Sequence, residues 1–350
     1  MSGENGSASG LGPTNETSCY EELDSIQYKI AAALRASVGL FSFFCCLGVV
    51  LVLVLYKKYK FFTQRLILYL TIAALVHSIS YTLARVNYYT PRPIEDPYCY
   101  FGGLLNHYTA AVELLNIWCI TFNLFVNTIF NKRTEKFEVI YFLISYFLPV
   151  TWFWLPLWKR AYGTAGPWCG IRTVDANCNP FHFGIWVQFG IWYIPLYVSL
   201  TIIFFATIVI AIKAVRDSRK WRGKFDPTAK WQSDRIEKEV KPLIWYPVVY
   251  LALNVFSLIS QIYNAVNPDN PSIVLFYLRL LSSPFRGAFI ALVYALDSET
   301  RRRLNCRQLR NLCKGCCQKK GAILEYQVVY SEFTDSYQLG DHDLSSPKKL

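Results

Sequence analysis

The sequence predicts an all-α membrane protein, a bundle of seven transmembrane helices with its N-terminus outside and its C-terminus inside. Three observations predict it. Seven apolar stretches are each long enough to cross a hydrocarbon core about 30 Å thick as a helix. The loops between them alternate in charge. Both Asn-x-Ser/Thr sequons, at Asn5 and Asn15, fall in the segment before the first stretch, on the side already read as outside. Composition agrees, with 53% hydrophobic and 17% charged residues in 350, and the 24 Tyr, 24 Phe and 10 Trp suit interfacial belts and a packed bundle.

The elements follow in order. Residues 1–29 form an extracellular N-terminal segment holding Glu4, Glu16, Glu21, Glu22 and Asp24; it lacks the apolar run of a signal peptide, so the first span is expected to direct insertion. The spans lie near Ile30–Tyr56, Leu66–Tyr89, Leu104–Phe130, Val139–Trp158, Phe183–Lys213, Leu243–Val266 and Ser272–Leu296. After the first comes Lys57, Lys58, Lys60 and Arg65 with no acid; the third-to-fourth loop carries Lys132, Arg133 and Lys136. The loop after the fifth span and the segment after the seventh are the most basic, whereas the loop after the sixth has Asp269 and no Lys or Arg. Lys and Arg mark the cytoplasmic side, which sets the orientation. Residues 30–296 are therefore the transmembrane domain, 297–317 an amphipathic juxtamembrane helix and 318–350 a disordered cytoplasmic tail. The net charge of +12 is inside-loop charge facing anionic headgroups, not a nucleic-acid footprint.

The eleven cysteines divide by compartment. Cys19, Cys99, Cys169 and Cys178 lie on the oxidising side, where three pairings are open. Cys99 precedes the third span, and Cys169 and Cys178 share the following outer loop, so a bridge from that loop to the third helix is expected. Cys99–Cys169 with Cys19–Cys178 is the preferred set, and Cys99–Cys178 stays open. Cys313, Cys316 and Cys317 face the cytosol after Arg301, Arg302, Arg303 and Arg307, the setting of S-palmitoylation. A zinc cluster is the rival reading, and no His accompanies it.

Asn106, Thr109, Glu113, Asn116, Asn123 and Asn127 recur at helical spacing along one stripe of the third span. Unpaired amides and a carboxyl cost several kcal/mol in hydrocarbon, so that stripe must face the interior and the third helix must be central. Asn116, Asn123 and Asn127 read as glue between helices. Glu113 lies roughly 21 Å below Cys99, and Arg286 lies about as far below Ser272, at 1.5 Å per residue. Opposite charges at one depth make a Glu113–Arg286 pair the economical expectation. Arg279, one heptad above Arg286, and Arg85 near the outer end of the second span have no acid at their level within the spans. They either snorkel to headgroups or, with Asn106, line an outward cavity for an anionic ligand group. Arg35 in the first span is a weaker member of that set.

Enzymatic chemistry has little support: four His do not make a convincing metal site across the bundle, and no phosphate loop or nucleophile elbow is present, so no catalytic residue, metal or cofactor is expected. A retinal protein needs an intramembrane Lys, and Ser272–Leu296 has none. A channel or transporter is the alternative function, against which stand the odd span count and the lack of an internal repeat. A ligandless scaffold is a third reading.

A Cys capping the third helix, Trp168-Cys169 in the second outer loop and seven spans resemble a G-protein-coupled receptor. Leu115-Asn-Ile-Trp118-Cys-Ile-Thr-Phe-Asn123-Leu-Phe, Lys241-Pro-Leu-Ile-Trp-Tyr246-Pro247-Val-Val-Tyr250 and Ser283-Pro284-Phe-Arg286-Gly287-Ala-Phe-Ile-Ala-Leu-Val-Tyr294 resemble the cyclic-AMP-receptor-like group, which borders the secretin and adhesion receptors. The resemblance covers roughly residues 30–315. It departs at the seventh-helix motif, where the family has Gln and Asn and this chain has Arg286 and Ile290. Asn123-Leu-Phe stands where rhodopsin-like receptors carry an acid-Arg pair. The resemblance implies a plasma-membrane receptor in which an extracellular ligand, of small anionic class on the arginine reading, activates a heterotrimeric G protein. The third inner loop, with Arg216, Arg219, Lys220, Arg222 and Lys224, then suits an acidic partner such as a Gα subunit, against a plain topology-setting role. Pro195 and Pro247 supply places to bend. Ser331, Thr334, Ser336, Ser345 and Ser346 in the tail suit kinases and arrestin, against a plain solvated tail.

Overall fold

The structure is a computed structural model that describes residues 25–84, 97–165, 168–175, 179–221, 243–267 and 272–297. Residues 1–294 cluster as one unit and 295–350 as another; the bundle described below lies in the first, up to Tyr294. Its elements are α1 (Ser25–Leu55), a 3₁₀ turn (Lys58–Lys60), α2 (Phe62–Ala84), α3 (Pro97–Phe130), α4 (Glu138–Phe147), α5 (Val150–Phe153) and α6 (Leu155–Trp158). There follow β1 (Tyr162–Thr164), β2 (Cys169–Ile171), α7 (His182–Val187), a π turn (Gln188–Tyr193), α8 (Ile194–Trp221), α9 (Trp245–Val266) and α10 (Ile273–Leu296).

Seven stretches among the described residues are long and apolar enough to cross a membrane; α4 to α6 make the fourth, and α7, the π turn and α8 make the fifth. The third is the axis of the bundle. Of its most apolar stretch 72% is buried, against 22–44% for the other six. The others keep large apolar side chains such as Phe41, Phe44, Leu51, Phe204 and Phe205 exposed, which suits a lipid-facing surface. Leu66, Leu70, Ile117, Ile120, Leu124 and Ile203 pack the interior around α3.

Helix ends have local causes. Lys57 (φ 51°) and Asn131 (φ 53°) adopt the left-handed conformation just past α1 and α3, a turn that stops a helix by redirecting the chain. The fourth span, expected as one helix, is three pieces. Pro149 and Pro156 lack the N–H that would continue the ladder, and Thr151 and Trp152 fall back on i−3 carbonyls. In the fifth span the wide turn Gln188–Tyr193 ends just before Pro195, whose ring clashes with a normal α-helical carbonyl four residues earlier. Pro247 lies in the first turn of α9, where a missing N–H breaks no ladder bond, so it does not bend the described helix.

In the seventh span Pro284 lies inside the helix, where its missing N–H leaves one carbonyl of the preceding turn without a ladder partner. Ser42 of α1 inserts its hydroxyl there, donating to the Pro284 carbonyl and accepting from the Ala288 N–H at 3.2 Å. Such insertion needs close approach. A side chain on Gly287 would meet Cys46 Sγ at 2.9 Å and Ser42 Cβ at 3.2 Å.

The loop after the fourth span, read from the sequence as a loop, contains a two-stranded antiparallel hairpin with Tyr162 opposite Ile171, Gly163 opposite Gly170 and Thr164 opposite Cys169. It is fastened to the top of α3 by the Cys99–Cys169 disulfide. Ala161, Tyr162, Ile171 and Val187 form a small core under it, and burial pushes the Tyr162 phenol pKa up.

Candidate functional site

The centre of the bundle is ionic. α3 brings Glu113 into the interior through the polar stripe, α10 brings Arg286, and the Arg286 Nη1 to Glu113 Oε2 distance is 3.0 Å. On the other carboxylate oxygen, Oε1, His77 Nδ1 from α2 lies at 2.9 Å, and because a carboxylate only accepts, the imidazole donates. All three side chains are buried, Glu113 to 1% exposure. One carboxylate facing one guanidinium leaves this cluster neutral whenever His77 is uncharged, which is what an interior without water requires.

A polar shell orients these groups. His77 Nε2 lies 2.8 Å from the Tyr81 hydroxyl and 3.2 Å from Asn106 Oδ1, and Ser80 donates to the same amide oxygen. Tyr81 reaches across to Ser283 at 2.7 Å, while Arg286 donates to the Ser283 hydroxyl and carbonyl. The Arg286 guanidinium also lies over the Tyr250 ring of α9 at 5.7 Å. Four spans thus meet on one network. Ile117, Tyr246, Tyr250, Leu253 and Arg286 border a small cavity beside it, large enough for about one water.

Toward the hairpin end, Arg279 lies over the Trp168 ring at 5.3 Å and within 3.5 Å of the Tyr193 hydroxyl. Arg35 of α1 lies over the same indole at 5.6 Å and over Tyr81 at 4.8 Å. Tyr193 stacks on Tyr197, whose hydroxyl donates to Gln261 of α9. Arg279 therefore connects, through aromatic contacts, to the fifth and sixth spans.

Other expected residues are placed as follows. Asn106 is engaged by α2 in the central network. Asn116 turns its amide back onto the Val112 carbonyl of its own helix, and Asn123 accepts from Thr134 in the loop after α3. Neither of those bonds joins two spanning helices, which corrects the reading of Asn116 and Asn123 as interhelical glue; in a long helix the i−4 carbonyl is the nearest acceptor for a short amide. Arg216 and Arg219 are exposed near the end of α8, and Lys220 lies in its last turn. Arg85, Arg222, Lys224, Cys19, Cys178, Asn5, Asn15, Cys313, Cys316, Cys317 and the serines and threonines of the tail lie outside the described residues. Sequence reasoning missed His77, Tyr81, Ser283 and Ser42. The available signal was His77 and Tyr81 at i and i+4 inside an apolar span, where polar groups must find interior partners.

Comparison with known proteins now bears on this geometry. Residues 230–303 match the family described as "G protein-coupled glucose receptor regulating Gpa2 C-term". The chain is 23% identical over 322 residues to Cyclic AMP receptor-like protein A of Dictyostelium discoideum, covering 88% of this chain and 76% of that one. It is 22% identical over 287 residues to G-protein coupled receptor 1 of Arabidopsis thaliana, covering 79% of this chain and 81% of that one. Seven helices long and apolar enough to span a membrane, with these likenesses, make the chain a multi-pass membrane protein similar to G-protein-coupled receptors.

Proposed function

We propose that the chain is a plasma-membrane receptor that activates a heterotrimeric G protein when a small extracellular ligand binds. The observation that carries this reading is likeness to two receptor-named proteins over 79–88% of the chain, far more than one motif. The names of the similar proteins divide between a cyclic nucleotide and a sugar, so the ligand class is read from this chain's own side chains. Arg279, with Arg85 and Asn106, favours an anionic group.

The orientation with the N-terminus outside draws support from two ends of one molecule. The disulfide and hairpin need an oxidising side, and Lys57, Lys58 and Lys60 gather at the opposite end, as the cytoplasmic face requires. Under that orientation Arg216 and Arg219 at the end of α8 face the G protein, continued by Lys220, Arg222 and Lys224. Asn5 and Asn15 carry glycans, Cys313, Cys316 and Cys317 carry acyl chains on the 297–317 helix, and the 318–350 tail takes kinases and arrestin.

Activation is a change between two packings of the bundle. The central charges fix α2, α3 and α10 in one packing. The wide turn before Pro195 and the turn at Pro284, where the proline N–H is missing and Ser42 bonds the backbone, are the places where the fifth and seventh spans can change direction most cheaply. No step makes or breaks a covalent bond in the ligand.

The test is nucleotide exchange on co-expressed Gα subunits, with and without acidic metabolites. Exchange that rises in at least one pairing is the expected outcome. A flat response in every pairing, together with solute flux or current in the absence of G protein, overturns the receptor reading for the channel or transporter alternative.

A further inference from the structure

Resting on the orientation of the receptor reading, we infer that the loops after the first and third spans form one basic and aromatic surface that binds anionic phospholipid headgroups of the inner leaflet, with Arg65 as the bracket that holds the two loops side by side.

The bracket uses every nitrogen of one guanidinium group. Arg65 Nε and Nη2 donate to the two carboxylate oxygens of Glu138, Nη2 at 2.6 Å, and Nη1 donates to the Lys60 carbonyl at 2.8 Å. A single planar group thus grips both the start of α4 and the backbone of the Lys58–Lys60 turn, in the two-pronged geometry that Arg makes with a carboxylate. Tyr69 adds a further hold on Glu138, its hydroxyl donating at 2.9 Å. The turn is also fixed from its inner side, because Lys58 is buried with its ammonium over the Tyr294 ring of α10 at 5.3 Å.

What the bracket gathers suits a membrane surface. Lys57, Lys132 and Lys136 are exposed, and among the described residues no carboxylate stands within ion-pair distance of them. Glu138, the acid at the start of α4, is already taken by Arg65. Tyr59, Phe61 and Phe137 are interleaved with these lysines along the two loops, and each is 40% exposed. Just beyond Glu138, Val139 and Ile140 are exposed apolar residues, so the surface continues into the lipid-facing side of the bundle. Rings at headgroup depth with ammonium groups beside them are the pattern of an interfacial contact with anionic lipid. An acidic protein in the cytosol would engage the lysines and leave the rings without a counterpart. Each lysine takes its own phosphate, so no one headgroup has to span the loops.

The experiment acetylates the lysines of the full chain and reads each peptide by mass spectrometry, in nanodiscs of phosphatidylcholine and in discs with a minor share of phosphatidylserine. The anionic lipid should slow labelling about three- to fivefold at Lys57, Lys132 and Lys136, and less than about twofold at Lys159, which is exposed at the opposite end of the fourth span. Glu138→Ala separates the bracket from plain electrostatics. It removes an acid, so charge alone predicts stronger protection, whereas loops freed from each other should lose at least about half of it. Arg65→Lys keeps the charge and loses the fork, and should weaken protection in the same way.

Equal labelling in the two kinds of disc, or equal slowing at Lys159, overturns the surface. So does protection by soluble glycerophosphoserine in phosphatidylcholine discs, which gives the lysines to a free anion, or protection that appears only with added Gα, which gives them to a protein. Protection in Glu138→Ala equal to or above that of the parent overturns the bracket. None of these readouts needs nucleotide exchange, so the surface can fail while the receptor reading stands, and nucleotide exchange can fail while the surface stands.

Discussion

Replacing Glu113 with Gln keeps the shape of the side chain and removes the charge that faces Arg286. At 3.0 Å and an effective dielectric of about 20, the two unit charges attract by about 5–6 kcal/mol. That attraction offsets the hydration both ions have lost, since Glu113 is 1% and Arg286 7% exposed. Taking away one partner leaves the other charge buried and unpaired, so Glu113→Gln should destabilise by about 3–5 kcal/mol. Arg286→Gln should cost a similar amount from the other side, leaving the carboxylate with His77. The double variant removes both charges and should regain at least about half of the combined loss. The assay is thermal unfolding of the purified proteins in detergent, followed by fluorescence at one heating rate because membrane bundles of this size unfold irreversibly. The four midpoints form a cycle. Losses that simply add, or a Glu113→Gln midpoint equal to that of the parent, would refute the pairing.

Three further outcomes follow from named contacts. Ser42→Ala strips the Pro284 carbonyl and Ala288 N–H of their shared partner, and should lower the unfolding midpoint as the loss of about 1–3 kcal/mol does, whereas Ser42→Thr should retain much of it. Gly103→Val puts a side chain 2.9 Å from the Gly170 backbone, so the hairpin must lift; the expected sign is free thiol at Cys99 and Cys169 in a maleimide assay of non-reduced protein. Cys99→Ala releases a tie across a sequence separation of 70, worth about 4 kcal/mol in the chain-entropy account, and should speed protease cleavage within the hairpin loop.

Much of the bundle was legible because a bilayer admits few solutions. A polar residue in hydrocarbon has to face inward, so the stripe from Asn106 to Asn127 singled out α3, and helical rise alone put Glu113 and Arg286 at one depth. His77, a polar group inside an apolar span, calls for an interior partner of any kind, which a search for metal ligands alone does not reveal. What stayed hidden depends on register between helices. Nothing in the α1 sequence says that Ser42 meets Pro284 and not the next turn, because that contact follows from how closely Gly287 lets the first span approach. The hairpin strands are three residues each and hold Gly163 and Gly170, too short and too flexible for an alternating pattern to register. The breaks at Pro149, Pro156 and Pro195 were readable as places of weakness, but whether each becomes a 3₁₀ fallback or a wide turn is decided by what packs beside it.

The two ionic groups are not independent, and Tyr81 is the reason. Its ring lies under Arg35 while its hydroxyl touches His77 and Ser283, so a single side chain belongs to both the hairpin-end pair of arginines and the central cluster. Ser283 in turn is bonded covalently to Pro284, whose missing N–H interrupts the α10 ladder and whose carbonyl accepts from Ser42. A packed helix resists bending in most places because each turn would have to give up a backbone hydrogen bond. At Pro284 the ladder already lacks one N–H, and the Ser42 hydroxyl bonds both the Pro284 carbonyl and the Ala288 N–H. A displacement of Arg35 thus reaches the compliant point of α10 through one phenol and one serine. Glu113 holds Arg286 half a turn further along the same helix, so a change of direction at Pro284 is expected to strain the ion pair. Under the receptor reading, that coupling makes residues 283–288 of α10, together with the wide turn before Pro195, the places where a change between two packings is expected to act.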